Sequence, residues 1–328
     1  MSDSGELELD LYDIGVLMNY ERSTTDSELR HTKLREVAFP GNQPQLVGLN
    51  NSINSEWNKN DCTWIVVEKQ NPSDPTAPDL PQDFLQEEKR AENTLSDEQL
   101  ETLFHQARNH NGYRKSISLL QLFFGLFPKD TKLRVRHAPL NKQPGQVYTT
   151  TIDRRVIIEE AFREPKVATA IYVLPENSLQ VSGHAPQLPH AVVGFSPHDS
   201  ETVKTFFDLS SMQFGDIGRG PGPKGKQLFA LDTPEEFAIR FSHLAKGADP
   251  SKSQRSLAIP GTPLDEWLLE VAIRVKERLE NREKDKWCGH CGAPNAASKC
   301  SGCGQAYYCG KQHQKLAWAF HRGYCSRQ

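Results

Sequence analysis

Apolar and polar positions along this chain change period several times, and each change predicts an element. Cys62–Glu68 (CTWIVVE) is a β-branched and aromatic run, which reads as a strand. Ser96–Ala107 (SDEQLETLFHQA) sets Leu100, Leu103, Phe104 and Ala107 at helical spacing behind a Ser96/Gln99 capping box. The longest apolar stretch, Ile117–Phe127 (ISLLQLFFGLF), predicts a buried helix from about residue 115 that stops at Pro128. Six strand-like runs follow: KLRVRH, QVYTTTIDRRVII, ATAIYVL, HAVVGF, VKTFFDL and QLFAL. Thr233–Ala245 (TPEEFAIRFSHLA) is a helix with Thr233 as cap, Pro234 at the first helical position and Glu236 completing the box. From Thr262 a second Thr-Pro start opens an amphipathic helix, with Leu264, Leu268, Val271, Val275 and Leu279 on one face. Upstream of Cys62 the pattern gives only short alternating runs between polar stretches.

These elements predict an α+β body. Residues 1–83 form a strand-and-loop region, and four prolines between Asn71 and Asp83 mark a linker at 71–83. The body spans 84–261, the amphipathic helix 262–286 connects it onward, and 287–328 is a separate small unit. No internal repeat is present.

Composition narrows the class. Hydrophobic residues make up 37% and Pro plus Gly number 43, which fits a folded chain with long loops. No run approaches the eighteen or so apolar residues of a transmembrane helix. The acidic start, MSDSGELELDLYD, lacks the pattern of a signal peptide, so the expected location is intracellular, in the nucleus or cytoplasm. A reducing compartment argues against disulfides. The net charge is −3, yet Trp287 onward holds five basic residues and no acidic one, leaving −8 on the rest.

The tail carries the chemistry. Six of the seven cysteines lie between Cys288 and Cys325. Two Cys-x-x-Cys pairs, Cys288/Cys291 and Cys300/Cys303, are followed by Cys309/His313 and His321/Cys325, each with three residues between. Eight such ligands suit two tetrahedral Zn²⁺ ions. Spacing alone leaves open whether the pairs combine in sequence or interleave. A redox pair is a poor reading, because no βαβ pattern surrounds the cysteines. The segment has too few aliphatic side chains for a core, so metal would supply its folding free energy, on the order of 10 kcal/mol per site. Two zincs on six thiolates lower the tail's charge from +5 to about +3, which weakens a nucleic-acid reading.

The run CGHC…KCSGC…YYC…W…HRGYC resembles a MYND-type zinc finger. Tyr308, Cys309, Gln314, Trp318, His321, Arg322 and Cys325 fall where that family places such residues; His313 stands where it usually has cysteine. The HIT-type finger, another treble-clef relative, shares the ligand logic, whereas a RING finger ends in a Cys-x-x-Cys pair that is lacking here. The resemblance implies a treble-clef-like fold and interleaved ligation. One structural zinc would take Cys288, Cys291, Cys309 and His313; the other would take Cys300, Cys303, His321 and Cys325. It also implies a protein-docking adaptor or regulator that takes short proline-containing peptides, in transcriptional control. Trp318, Phe320, Tyr307 and Tyr308 are docking candidates, with Tyr308 read as core.

Enzymatic readings compete. SET-domain methyltransferases with MYND fingers have essential segments after the finger, whereas only three residues follow Cys325. Asn109–Gly112 (NHNG) also lies upstream and lacks the expected continuation. Gly220–Gln227 (GPGPKGKQ) approaches a phosphate loop but ends in Gln227 where Mg²⁺ needs Ser or Thr. The alternative that stays open is a papain- or transglutaminase-like enzyme, active or degenerate, using Cys62, His190 and Asp208 as nucleophile, base and orienting acid. The finger would then recruit its substrate.

Overall fold

The computed structural model describes residues 8–46, 61–86, 94–139, 144–221, 225–259 and 265–326. Sequence and structure agree on the class: a mixed α/β body carries the small cysteine-rich unit at its C-terminal end. The Thr262 helix start and the centre of the 220–227 loop lie outside the described residues.

Strand β1 (Leu9–Asp10) runs directly into helix α1 (Leu11–Thr24). Asp10 caps α1, its Oδ1 accepting from Tyr12 N at 3.1 Å and Asp13 N at 3.2 Å. Nearly every residue of α1 is buried, Asp13 being the exception. A helix enclosed on all sides shows no apolar stripe, and the sequence pattern gave no sign of it.

Among the described residues, three sheets build the body. One joins β1 in parallel to β4 (Lys132–Arg136), which pairs antiparallel with β5 (Val147–Thr151). A second has the order β2-β3-β7-β8: β2 (Thr32–Ala38), β3 (Cys62–Lys69), β7 (Ala168–Leu174) and β8 (Ser178–Ser182). Here β3 and β7 pair in parallel from Cys62↔Ala168 to Glu68↔Leu174. The largest runs β11-β10-β9-β6-β12, with β13 (Gln254–Ser256) also on β6. Its members are β6 (Arg155–Pro165), β9 (Gln187–Phe195), β10 (Thr205–Asp208), β11 (Ala230–Asp232) and β12 (Ala245–Ala248). The run QVYTTTIDRRVII is thus two strands, β5 and β6, broken by the 3-10 turn Ile152–Arg154.

Helix α2 (Asp97–Asn109) keeps its Ser96/Gln99 capping box, and α4 (Pro234–Leu244) keeps Thr233/Glu236. Helix α3 (Tyr113–Phe124) ends at Gly125, ahead of Pro128. Helix α5 (Glu266–Glu280) is capped by Asp265 and buries Leu268, Val271, Ala272, Val275 and Leu279. The main core combines α1, α3 and α5 with Val193 and Phe195 of β9 and Phe207 of β10. The proline-rich 71–83 stretch ends in the 3-10 turn Pro81–Asp83. Asp79 ties it down: its N–H donates to Thr24 O, and its carboxylate accepts from Arg108 at 2.8 Å.

Candidate metal centre

The cysteine-rich unit is a pair of turns, a short ladder and a helix. Strands β14 (Ser298–Lys299) and β15 (Tyr307–Tyr308) pair antiparallel, and α6 (Lys311–His321) follows. Both Cys-x-x-Cys turns close in the same way. Gly292 N donates to Cys288 O at 2.8 Å, and Gly304 N donates to Cys300 O at 2.9 Å. Gly292 (φ +80°) and Gly304 (φ +67°) hold the left-handed conformation that favours glycine.

These turns and α6 bring the eight predicted ligands into two groups. Cys288, Cys291, Cys309 and His313 form one; Cys300, Cys303, His321 and Cys325 form the other. Within each, the four ligand atoms lie within 4.8 Å of one another. A zinc tetrahedron with bonds of about 2.3 Å to sulfur and about 2.0 Å to nitrogen has edges of about 3.8 Å between sulfurs and about 3.5 Å from sulfur to nitrogen. The Cys291–Cys309 and Cys300–Cys325 sulfurs are 3.7 and 3.8 Å apart. His313 Nδ1 is 3.4 Å from Cys288 Sγ, and His321 Nε2 is 3.5 Å from Cys303 Sγ. Two Cys₃His groups of this size fit two zinc ions, and each supplies four protein ligands, the closed arrangement of a structural site. The pairing is interleaved, which spacing had left open. His313 Nδ1 occupies the fourth corner of the first group.

The unit is fastened to the body through the first of these turns. Tyr12 Oη donates to Gly289 O at 3.0 Å, and Arg278 Nη2 donates to Gly292 O at 2.8 Å. A side chain at position 292 would meet Val16 O of α1 at 2.6 Å. His290, fully enclosed, sits with Nε2 at 3.1 and 3.2 Å from the two Glu101 oxygens on α2. Arg219 reaches the same carboxylate at 3.0 Å. Burial alone would raise the Glu101 carboxyl; His290 and Arg219 outweigh it and hold that group well below the usual range. His290 was not singled out from sequence, because nothing in the ligand spacing distinguishes the residue inside a turn.

The docking candidates separate by exposure. Tyr308 is buried in the unit's own core, and Tyr307 is half-buried. Phe320 belongs to the body core and stacks on Tyr12, so it is not a docking residue as the sequence reading allowed. Trp318 is 46% exposed.

Of the proposed catalytic trio, the fold joins two. His190 Nε2 lies 2.7 Å from Asp208 Oδ2, and its Nδ1 faces Gln213 Nε2 at 3.1 Å. Both ring nitrogens are therefore engaged by groups other than a thiol. Cys62 sits in a different sheet, in an apolar cluster with Ala38, Trp64, Val66 and Ala170. Burial pushes its thiol up to about 12, away from the thiolate that catalysis needs.

Residues 288–325 match the MYND finger family. No curated protein and no solved structure gives a significant match to the chain. The C-terminal unit is a MYND finger, a zinc-binding module of the protein-interaction class, and among the described residues no helix is long and apolar enough to cross a membrane.

Proposed function

We propose that this protein is a zinc-dependent adaptor or regulator. Its finger docks a short proline-containing peptide of a protein partner, and its setting is transcriptional control in the nucleus or cytoplasm. The observation that carries this reading is Trp318, a large aromatic side chain left 46% exposed on a finger whose other face is packed against the body. An exposed aromatic with an apolar ring and a polar edge is the usual anchor of a small docking surface. The zincs hold that surface in shape and take no part in chemistry.

An adaptor is preferred over a cysteine-dependent enzyme on geometry. The His190 imidazole is satisfied on both sides by Asp208 and Gln213, while Cys62 is enclosed among apolar side chains. Selection of random displayed peptides on the full-length, zinc-loaded protein tests the reading. Proline-containing sequences should be retained by the wild type and by Cys62→Ala, and lost with Trp318→Ala. Retention that ignores Trp318 would end the proposal. Imaging of a tagged protein tests the location.

A further inference from the structure

We infer that the exposed face of α6 takes an acidic peptide segment of a partner protein, with Trp318 as its anchor. This rests on the docking role proposed above and specifies the chemistry of the occupant.

Lys311, Lys315, Trp318 and Arg322 are all exposed and follow one another at steps of four, three and four residues. That spacing puts them on one side of the helix, opposite the buried Leu316, Ala317 and Phe320. Three cations therefore frame one exposed indole.

These charges are unbalanced. From Trp287 onward the chain has no acidic residue. Among the described residues neither Lys311 nor Lys315 forms an ion pair, and Arg322 only donates to the Pro139 carbonyl, at 3.3 Å. Some exposed lysines of the body do find carboxylates: Lys69 pairs with Glu176 at 2.7 Å, Lys115 with Glu28 at 2.6 Å and Lys246 with Glu164 at 2.6 Å. Like charges four residues apart on a helix cost a few tenths of a kcal/mol. Carboxylates brought by a partner would turn that repulsion into attraction and steer its approach.

The patch is cationic but narrow. The protein's net charge is −3, and each closed Cys₃His zinc site adds a further negative charge behind the helix. Nucleic-acid affinity scales with the number of phosphates neutralised, and three cations neutralise few. A short run of Asp or Glu beside an apolar or proline anchor matches the surface better.

The test uses the full-length, zinc-loaded protein with two probes: a random displayed-peptide library and a pool of random single-stranded DNA. The variants are Trp318→Ala and the double substitution Lys311→Glu with Lys315→Glu. Both lysines are exposed, and Glu near the start of α6 suits the helix dipole, so folding should be kept; zinc content and circular dichroism verify it. Wild-type protein should enrich Asp- and Glu-containing peptides, and the double variant should bind those peptides about tenfold more weakly. Retained peptides without acidic enrichment, or acidic peptides held equally by the double variant, overturn the inference while docking at Trp318 stands. Enrichment of DNA alone, lost in the double variant, overturns it in favour of nucleic acid. Retention of no peptide at all removes the docking reading itself.

Discussion

The ring of Tyr12 lies on the ring of Phe320, with centroids 3.5 Å apart and planes 4° from parallel. One belongs to α1 and the other to α6. Their contact extends the main core into the finger, so zinc binding and body folding share an interface. Tyr12→Phe should keep the stack and lose the hydroxyl's bond to Gly289 O, costing about 1 kcal/mol. Tyr12→Ala should cost about 3–5 kcal/mol. Urea unfolding measures both; equal stability of the two variants would mean that the stack does not fasten the finger.

Interleaving gives a zinc count that sequential pairing does not. Cys291 and Cys309 belong to one group, Cys300 to the other. Cys291→Ser with Cys309→Ser should leave about one zinc per chain, whereas Cys291→Ser with Cys300→Ser should leave none held tightly. Sequential pairing would reverse that ranking, since positions 291 and 300 would then share an ion. Elemental analysis of purified, dialysed variants decides between them. Full chelation should lower the unfolding temperature of the body as well as empty the finger, because the Cys288–Cys291 turn packs on α1 and α2.

The Glu101 carboxylate faces both Arg219 and His290. Removing one partner of a buried ion pair leaves the others uncompensated, at a cost of about 3–5 kcal/mol. Glu101→Ala should show that loss in denaturant unfolding. Glu101→Gln keeps the shape and one acceptor, and should lose about half as much. If the two substitutions cost the same, the loss comes from the charge alone, and the shape and acceptor that Gln keeps contribute nothing.

What the sequence made legible follows from what each residue interacts with. The caps at Ser96 and Thr233 act within one turn, so local reading found α2 and α4. The candidate zinc ligands stand out by spacing, and the fold gathers them into two groups of four. Helix α1 was illegible because burial on every side erases periodicity; its one local signal is Asp10, with Asp13 three residues on. Phe320 reads as a surface aromatic on a finger helix until Tyr12, 308 positions earlier, is known to lie beneath it. Likewise His190 and Asp208 were brought together by adjacent antiparallel strands, while Cys62 went to another sheet, a separation that no linear order reveals.

His137, just past β4, gives a pH test of the body. Its side chain is 1% exposed, and Nε2 lies 2.9 Å from Thr205 Oγ1. Burial pushes its pKa down to about 4, although Asp232 and Glu235 favour the charged form; the Tyr148 ring, 6.4 Å away, adds no charge. An unfolded histidine titrates near about 6.5. Above that pH both states are neutral here and the full stability is present. As pH falls below it, the unfolded chain takes up a proton that the folded chain resists, and stability is lost progressively down to about pH 4. The size of the effect is up to about 3 kcal/mol. Zinc ligands also take up protons in acid, so the wild-type curve alone does not isolate His137. The informative quantity is the stability difference between wild type and His137→Gln, which keeps an amide near Thr205. That difference should move in the variant's favour by up to about 3 kcal/mol between pH 7 and pH 4.5. A difference that stays constant with pH would show that His137 is protonated as easily in the folded protein as in the unfolded chain.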